Sequence, residues 1–425
     1  MKAEKPIILH GIAFILAISI TYGAIRLRPT WFLNLGTPLN SISSDLKEYG
    51  TYQATYSDGL NSENWLLHEF HSGSVVVLGS SELTHQELNS IPNNFITKNY
   101  TQRCVAFGKA GNQCFNIFSQ LLAMKEVLKN SKIVIILSPG WFEEYALGTS
   151  LETFLEFNSE RFLNYIWNDS LIPKKYKNYI GEYVVNNFEN IQLPSSTLKQ
   201  IFYESKGENP INYFALYPFI KGLKEYNKLK IGWYEDIYRE SKGKYPPLKK
   251  HPYKDFFSIT SKQSNSINQK LVSVNYDSLE KSAFNSFKLI SNNNLMAVEN
   301  TYYDEWIRNK KPKKIRPVPI SSNREFMDFK ILLNMLSYYK CKPLIIMQPL
   351  NTHVFENIKD LTILKGVEKE INKYGYEFYN MFEYEKTKYI NGTLNDIFHL
   401  GDLGWFKVNK KIVDYYNLAN EKKHH

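Results

Sequence analysis

Two short segments, far apart in the chain, hold the side chains best suited to chemistry. One has an acid three residues before a histidine, Asp396 and His399. The other places Ser80 and Ser81 directly after the apolar run Val75–Leu78. A carboxylate that binds one imidazole nitrogen leaves the other nitrogen to take a proton from a hydroxyl. Together the segments predict acyl transfer, with Ser81 as nucleophile, His399 as base and Asp396 as the orienting acid.

Each segment also has an ordinary structural explanation. Ser80 or Ser81 would serve equally well as the cap of a helix that begins near Glu82. An acid and a histidine three residues apart are also unremarkable on a protein surface. Ser80 is a rival nucleophile, because one residue of turn geometry decides which hydroxyl faces His399. The presence of both segments in one chain favours the catalytic interpretation.

Three continuous apolar runs predict the strands that position these segments. They are Val75–Leu78, Ile133–Leu137 and Leu344–Met347. Runs without polar alternation are typical of strands covered on both faces, as in a parallel sheet. Amphipathic segments that predict helices occupy residues 112–129, 323–340 and 356–373. The alternation predicts an α/β fold, a three-layer sandwich with helices on both faces of a central parallel sheet. In such sheets ligands bind beyond the carboxyl ends of strands, where Ser81 falls.

Some helix boundaries carry signals of their own. Ser322, followed three residues later by Glu325, predicts a capping box at the start of the second helix. Gly375 predicts the end of the third helix. Trp405, which follows two nearby glycines, predicts the start of a last helix.

The N-terminus predicts a membrane anchor. Residues 6–25 contain no charged side chain, and about 20 residues of helix span roughly 30 Å, the thickness of a hydrocarbon core. We therefore predict one transmembrane helix within residues 1–28, with the rest of the chain outside the cytoplasm. Basic residues flank both ends, so charge does not fix the orientation. A cleavable signal peptide is the alternative, although its apolar stretch is usually shorter.

The remaining chain is predicted to form a juxtamembrane connector at residues 29–71 and one catalytic domain at residues 72–420. Between about residues 149 and 319, aromatic residues, lysines and prolines are interspersed, and few segments have the apolar pattern of a strand. This pattern predicts a long, mostly helical insertion in the catalytic domain. The three cysteines match no zinc spacing, and no glycine-rich nucleotide loop follows a strand. We expect neither a metal nor a cofactor.

The formal net charge of +10 favours anionic partners. The densest basic run comprises Lys310, Lys311, Lys313, Lys314 and Arg316. We interpret this run first as a solvated loop. No nucleic-acid-binding signature is present, so nucleic acid is not expected. An anionic polymer or a membrane lipid surface fits the charge.

The order of the two catalytic segments resembles the SGNH (GDSL-like) hydrolase superfamily, whose nucleophile lies in the first block and whose Asp-x-x-His lies in the last. Gly79-Ser80-Ser81 stands where that superfamily has Gly-Asp-Ser, which implies Ser81 as the nucleophile. Gly111-Asn112-Gln113 resembles its glycine block. The resemblance implies an oxyanion hole formed by the backbone N–H groups of Ser81 and Gly111.

The third block departs from the superfamily pattern. Residues 138–141 stand where an asparagine is normally found, and they contain none. One expected oxyanion donor is therefore missing from this block. Trp141 and Ser80 are candidate pocket residues.

A narrower resemblance covers almost the whole chain. Gly-Ser-Ser-Glu-Leu at 79–83, Ser-Pro-x-Trp-Phe at 138–142 and Asp-x-x-His-Leu-Gly-x-x-Gly-Trp at 396–405 resemble the DltD family of Gram-positive envelopes. The strand exit at residues 347–351 and the N-terminal anchor resemble it too. The resemblance implies a single-pass membrane protein that takes part in the D-alanylation of lipoteichoic acid. It also implies teichoic acid as the acceptor, with the membrane-bound O-acyltransferase DltB and the D-alanyl carrier protein DltC as partners.

From this resemblance we predict a D-alanyl-serine intermediate on Ser81 and transfer to a polymer hydroxyl. Two alternatives stay open. One is an extracytoplasmic esterase or O-acetyltransferase that acts on a wall polysaccharide. The other is a non-catalytic docking module for the carrier protein and the membrane acyltransferase.

Overall fold

The structure is a computed structural model of the 425-residue chain. It describes most of residues 69–207 and 274–419, with short gaps at 85–88, 144–146 and 190–195 and at single positions. It also describes residues 51–52 and the single positions 16, 17, 19 and 66.

The predicted anchor and connector lie almost wholly outside the described residues. Of the anchor, the structure describes only residues 16, 17 and 19, which are helical. Within the part of the chain that the structure describes, no helix combines the length and the apolar character needed to cross a bilayer. The anchor at residues 1–28 and the connector at residues 29–71 stay predictions.

A six-stranded sheet forms the centre of the fold. Its strands are β1 Thr51–Tyr52, β2 Val75–Leu78, β3 Cys104–Phe107, β4 Lys132–Leu137, β5 Leu344–Met347 and β6 Glu377–Asn380. They lie in the order β1-β3-β2-β4-β5-β6, and every neighbouring pair is parallel. The prediction of an α/β fold with a central parallel sheet is confirmed. The sequence had singled out β2, β4 and β5 but not the other three strands.

The α-helices with described bounds are α1 Pro92–Asn99, α2 Cys114–Ala123, α3 Leu151–Phe157, α4 Glu160–Asn168, α5 Lys174–Phe188, α6 Ser196–Lys206, α7 Tyr276–Ile290, α8 Asn300–Trp306, α9 Arg324–Tyr338, α10 Ile363–Lys373 and α11 Asp402–Tyr416. Helix α2 ends earlier than predicted. Helix α10 begins later than predicted, after a short 3₁₀ turn at Ile358–Asp360. Helix α11 begins three residues before Trp405.

The central strands are apolar because both faces of the sheet are buried. Alternate residues such as Val75 and Val77 pack in one cluster with Phe95 of α1 and Trp405 of α11. The intervening residues, such as Val76, are also fully buried, and α9 packs against both α2 and α10. Burial of a Val or Leu side chain contributes about 1.5–3 kcal/mol, so these strands are fixed mainly by packing.

The predicted capping box at Ser322 is wrong. Asn323 caps α9 instead, because its Oδ1 accepts the N–H of Phe326 at 2.9 Å. Asparagine is among the strongest N-cap residues, so it competes effectively with the preceding serine. The Ser322 hydroxyl donates to the carbonyl of Pro319, and Glu325 contacts another helix, as described below.

The chain divides into two compact units. One comprises residues 43–176 and 247–425 and contains the sheet; the other comprises residues 1–42 and 177–246. In the second unit, the described residues are mainly those of α6 and of α5 beyond residue 176. The described residues between 149 and 319 form helices and no strand. The boundaries of the predicted catalytic domain and of its insertion stay predictions.

The strand order creates a switch point beside β2. From β2 the chain passes to β3 on one side and later to β4 on the other. Crossovers that leave in opposite directions open a crevice beyond the carboxyl ends of parallel strands. The loops that follow β2, β3, β4 and β5 begin at Gly79, Gly108, Ser138 and Gln348. All four loops therefore lie at the same edge of the sheet.

Candidate active site

The serine pair follows β2 at the switch point. Ser81 begins a 3₁₀ helix that ends at Thr84, whereas the sequence indicated a helix that begins near Glu82. Residues 85–88 lie outside the described residues. Glu82 is buried, and its Oε1 accepts the N–H of Ser80 at 2.6 Å. This bond fixes the turn from within and leaves Ser81 partly exposed.

The loop after β3 lies directly against the serine turn. Gly108 has φ +153°, and a Cβ at this position would lie 2.1 Å from the carbonyl oxygen of Gly79. Gly111 has φ +88°, and its Cβ would lie 2.4 Å from Cγ2 of Thr153. Any other residue at either position would strain the backbone and push it outward. Asn112 completes the contact, since its Nδ2 donates to the Gly79 carbonyl at 3.0 Å.

The two serine hydroxyls have different partners. The N–H of Gly111 donates to Oγ of Ser80 at 3.1 Å. Oγ of Ser81 lies 3.0 Å from Nε2 of His399. The geometry therefore brings Ser81 to the imidazole and Ser80 to the predicted oxyanion donor.

The histidine loop connects β6 to α11 and closes on itself. The N–H of Asn395 donates to the carbonyl of His399 at 3.0 Å, and the N–H of Gly401 donates to that of Thr393 at 3.0 Å. Leu394 and Leu400 form an antiparallel bridge inside the loop. These backbone bonds fix the residues between them.

Asp396 accepts three hydrogen bonds, two of them from His399. Oδ2 of Asp396 lies 2.7 Å from Nδ1 of His399. Oδ1 accepts the backbone N–H groups of Phe398 and His399, each at 2.7 Å. Because the carboxylate accepts from Nδ1–H, the histidine tautomer leaves Nε2 to accept from the Ser81 hydroxyl. Asp396, His399 and Ser81 form one continuous hydrogen-bonded chain.

The environment strengthens the imidazole as a base. Burial by itself lowers the pKa of His399, but the hydrogen bond that its Nδ1–H donates to Asp396, the charge of Asp396 and the charge of Glu82 outweigh the effect of burial. The pKa of His399 therefore lies above its ordinary value. Burial acts to raise the pKa of Asp396, yet the bond to His399, the charge of His399 and the two backbone N–H groups hold it below its ordinary value. Asp396 is consequently ionised at neutral pH.

The block after β4 reaches the histidine loop through Phe398. Residues Pro139–Phe142 form a 3₁₀ helix, and a Cβ on Gly140 would lie 3.6 Å from Cε1 of Phe398. Trp141 in this helix is 5% exposed. A role for Trp141 in a pocket stays a prediction.

Two contributors to the site were not identified from the sequence. Glu82 was interpreted only as part of a helix start, and Asn112 was given no role of its own. The signal for Asn112 was its place beside Gly111 in a block that follows a strand. No signal in the sequence indicated that the Glu82 carboxylate turns back to bind the Ser80 N–H.

No metal centre is found in the part of the chain that the structure describes, where no group of three or more His, Cys, Asp or Glu residues is placed to bind an ion. The thiols of Cys104, Cys114 and Cys341 are buried and unpaired with one another.

Known proteins match the chain over nearly its whole length. Residues 50–417 match a family model described as DltD protein. A relative, Protein DltD of Bacillus subtilis (strain 168), is 24% identical over 418 residues, which cover 95% of this chain and 96% of that protein. The matched region includes the six strands and the residues Ser81, Asp396 and His399.

Proposed function

The chain belongs to the DltD family, and from that premise we propose that it transfers D-alanine onto teichoic acid in the cell envelope. This family membership agrees with the resemblance to the DltD family that the sequence motifs indicate. The observation that carries the proposal is the hydrogen-bonded chain from Asp396 through His399 to Ser81, with contacts of 2.7 and 3.0 Å. Its order of acid, base and hydroxyl is the order that acyl transfer through a serine ester requires.

In the first half-reaction, Oγ of Ser81 attacks the carbonyl carbon of a D-alanyl ester or thioester while Nε2 of His399 takes the hydroxyl proton. The tetrahedral intermediate then collapses, and the bond to the donor oxygen or sulfur breaks. The leaving group receives the proton from His399. A D-alanyl-serine ester remains, and Asp396 has stabilised the transient imidazolium throughout.

In the second half-reaction, a hydroxyl of teichoic acid attacks the same carbonyl carbon. His399 takes the proton of that hydroxyl and returns it to Oγ of Ser81 as the ester bond breaks. Because an oxygen ester is exchanged for another oxygen ester, the step is nearly isoenergetic. Base assistance by a positioned histidine contributes about 10²- to 10⁴-fold to each half-reaction.

The oxyanion is proposed to bind the backbone N–H groups of Ser81 and Gly111. The Gly111 N–H now donates to Oγ of Ser80, so the Ser80 hydroxyl must turn aside when the intermediate forms. One such donor is worth about 10²- to 10³-fold in rate. The site would use the class of chemistry found in SGNH hydrolases, with a polymer hydroxyl in the place of water.

The proposed setting is the outer face of the cell membrane. The uncharged segment at residues 6–25 supports a single-pass anchor. The membrane-bound acyltransferase DltB is the proposed source of D-alanine, and the carrier protein DltC is a further candidate partner. The basic net charge supports an acceptor that carries many phosphates.

Replacement of the nucleophile tests the proposal. Ser81→Ala should abolish the covalent D-alanyl adduct and lower D-alanylation by about 10⁴-fold or more, while the fold is retained. The matched control is Ser80→Ala, which should keep the adduct on Ser81. Mass spectrometry of the peptide that contains both serines distinguishes the two positions.

Two results would count against the proposal. Wild-type D-alanylation in Ser81→Ala would remove Ser81 from the mechanism. An acetyl mass on Ser81, in place of an alanyl mass, would support the alternative of an O-acetyltransferase or esterase that acts on a wall polysaccharide.

A further inference from the structure

Five cations line a short segment that borders the candidate site. We call Lys310, Lys311, Lys313, Lys314 and Arg316 the basic segment; all five are exposed. Ile315 lies between the last two of them and is only 3% exposed. The apolar side chain faces inward and the charged side chains face solvent.

The backbone of the basic segment is held at several points. The N–H of Ile315 donates to Oδ1 of Asn357 at 2.7 Å, and Nδ2 of Asn357 donates back to the Ile315 carbonyl at 3.0 Å. The N–H of Glu356 donates to the Lys313 carbonyl at 3.1 Å, and the N–H of Arg316 donates to the carboxylate of Glu143. The charges are therefore displayed on a fixed backbone, which the interpretation as a solvated loop did not anticipate.

The basic segment touches the histidine loop itself. Nζ of Lys313 lies 5.7 Å from the centroid of the Phe398 ring. Phe398 stands between Asp396 and His399, and its N–H donates to the Asp396 carboxylate. The ring also packs against Phe355, whose backbone pairs with Lys313. The Phe398 ring thus connects Lys313, one of the five cations, to the loop that carries the proposed base.

Most of the charge in the basic segment is not paired with carboxylates of the described residues and is therefore available to a binding partner. Lys314 pairs with Glu356 at 3.4 Å, and both side chains are largely exposed. Among the residues that the structure describes, Lys311, Lys313 and Arg316 form no ion pair with a carboxylate. Lys310 lies 4.6 Å from the ring of Trp306, which is 54% exposed. The surface combines a row of cations with an exposed aromatic face.

We propose that the basic segment binds the acceptor polymer through successive phosphodiester groups and so delivers a polymer hydroxyl to Ser81 and His399. This inference rests on the proposed function, because it assigns a surface to the acceptor of that reaction. A chain of regularly repeated phosphates engages several cations at once and releases counterions at each of them. A single phosphate gains one such contact, so the surface favours a polymer over a free anion.

The test compares two variants with the same change in charge. The first is Lys311→Gln/Lys313→Gln/Arg316→Gln. The control is Lys129→Gln/Lys340→Gln/Lys342→Gln, whose exposed lysines precede β4 and β5 and so lie at the sheet edge opposite to the site. The probe is unsubstituted poly(glycerol phosphate), and binding is measured on full-length chains in nanodiscs of neutral lipid without any acyl donor.

We expect the first variant to bind the polymer about 10- to 100-fold more weakly than the wild type. Its affinity should also depend less on salt. The slope of log affinity against log salt concentration should be smaller in magnitude by about 2 to 3, because the three missing cations no longer release counterions from the polymer. The control should bind like the wild type. A variant with Lys311→Arg and Lys313→Arg keeps the charge and should also bind like the wild type. Both triple variants should keep fluorophosphonate labelling of Ser81.

Three results would overturn the inference. Equal losses in the two triple variants would mean that net charge alone attracts the polymer. Loss of Ser81 labelling in the first variant would mean that the segment supports the site structurally. Weaker binding to anionic-lipid vesicles with unchanged binding to the polymer would assign the segment to the membrane. Because binding is measured without catalysis, the inference and the proposed function fail on different results.

Discussion

His399 interacts with two carboxylates of different character. Asp396 binds Nδ1 directly and has its own pKa held low by His399 and by two backbone N–H groups. Glu82 acts through its charge rather than through a hydrogen bond to the ring, and burial raises its pKa. Both carboxylates favour the protonated imidazole. The proposed base is therefore strong, but it is in its neutral, active form only at a higher pH than an ordinary histidine.

The pH dependence of Ser81 reactivity follows from this balance. In the wild type, labelling by a fluorophosphonate should rise with pH through a midpoint above about 6.5, because only neutral His399 accepts a proton. Asp396→Asn removes the main charge that raises the pKa of His399. Its midpoint should therefore move to lower pH, while the plateau rate falls by about 10⁴-fold. Labelling rates measured between about pH 5 and pH 9 give both quantities.

Glu82→Gln is the matched control for that experiment. Its amide oxygen still accepts the Ser80 N–H, so the serine turn is kept, but the charge is removed. The midpoint should move in the same direction by a smaller amount, with little change in the plateau rate. A midpoint for Asp396→Asn above that of the wild type would contradict the proposed electrostatics.

At this scale the sequence indicated the candidate residues of the site but not the contacts that support them. Residue types and spacing were sufficient for Asp396 and His399, because the two lie one short loop apart. The choice between Ser80 and Ser81 depends on the turn that Glu82 and Gly111 fix. The Gly111 contact joins segments that only the folded sheet brings together, so no local pattern in the sequence encodes it.

At the scale of elements, α9 supports the block that carries Gly111. The N-cap of α2, Gln113, makes no side-chain capping bond. Oε1 of Glu325, from α9, accepts the N–H of Cys114 at 2.9 Å instead. Burial, with a further contribution from Asp328, raises the pKa of Glu325 to about 8. Because this pKa is above that of the unfolded chain, the proton on Glu325 stabilises the fold below about pH 4.3 and this contribution is lost as pH rises towards 8.

Glu325→Gln should remove this pH dependence. Glutamine keeps an acceptor for the Cys114 N–H and carries no charge at any pH. The urea midpoint of the variant should be close to that of the wild type near pH 5 and should exceed it increasingly at pH 7 and pH 9. Glu325→Ala leaves the N–H without its acceptor and should lower the free energy of unfolding by on the order of 1–3 kcal/mol at pH 5. If the Glu325→Gln protein instead loses stability relative to the wild type as pH rises, the raised pKa of Glu325 is contradicted.

There are physical reasons why the strands β3 and β6 were not predicted from the sequence. In β3 the run Cys104–Phe107 contains the small side chains of Cys104 and Ala106, so it is less apolar and less β-branched than the runs of β2 and β5. In β6 the residues Glu377–Asn380 are partly exposed at the edge of the sheet, so no continuous apolar run marks them. The capping of α9 was misplaced by one residue because Ser322 and Asn323 are both strong caps.

At the scale of the whole molecule, the site joins segments that are 318 residues apart. Ser81, Gly111, Asp396 and the basic segment all belong to the unit that contains the sheet. The class of fold was predictable because parallel strands that are buried on both faces leave continuous apolar runs in the sequence. The contact of Lys313 in the basic segment with Phe398 of the histidine loop was not predictable, since it depends on how residues 313–316 pair with residues 355–357.

Removal of the predicted anchor should separate reactivity from function in the cell. A protein without residues 1–28 should retain fluorophosphonate labelling of Ser81, because the contacts described above all come from residues beyond the anchor. It should nevertheless restore little D-alanylation of teichoic acid in cells that lack the wild-type protein, since confinement to the membrane raises the effective concentration of a membrane-bound donor. An unrelated single-pass helix in place of residues 1–28 should restore D-alanylation if anchoring alone is required. Loss of Ser81 labelling on truncation would instead make the N-terminus part of the site, and full activity of the truncated protein in cells would refute the requirement for an anchor.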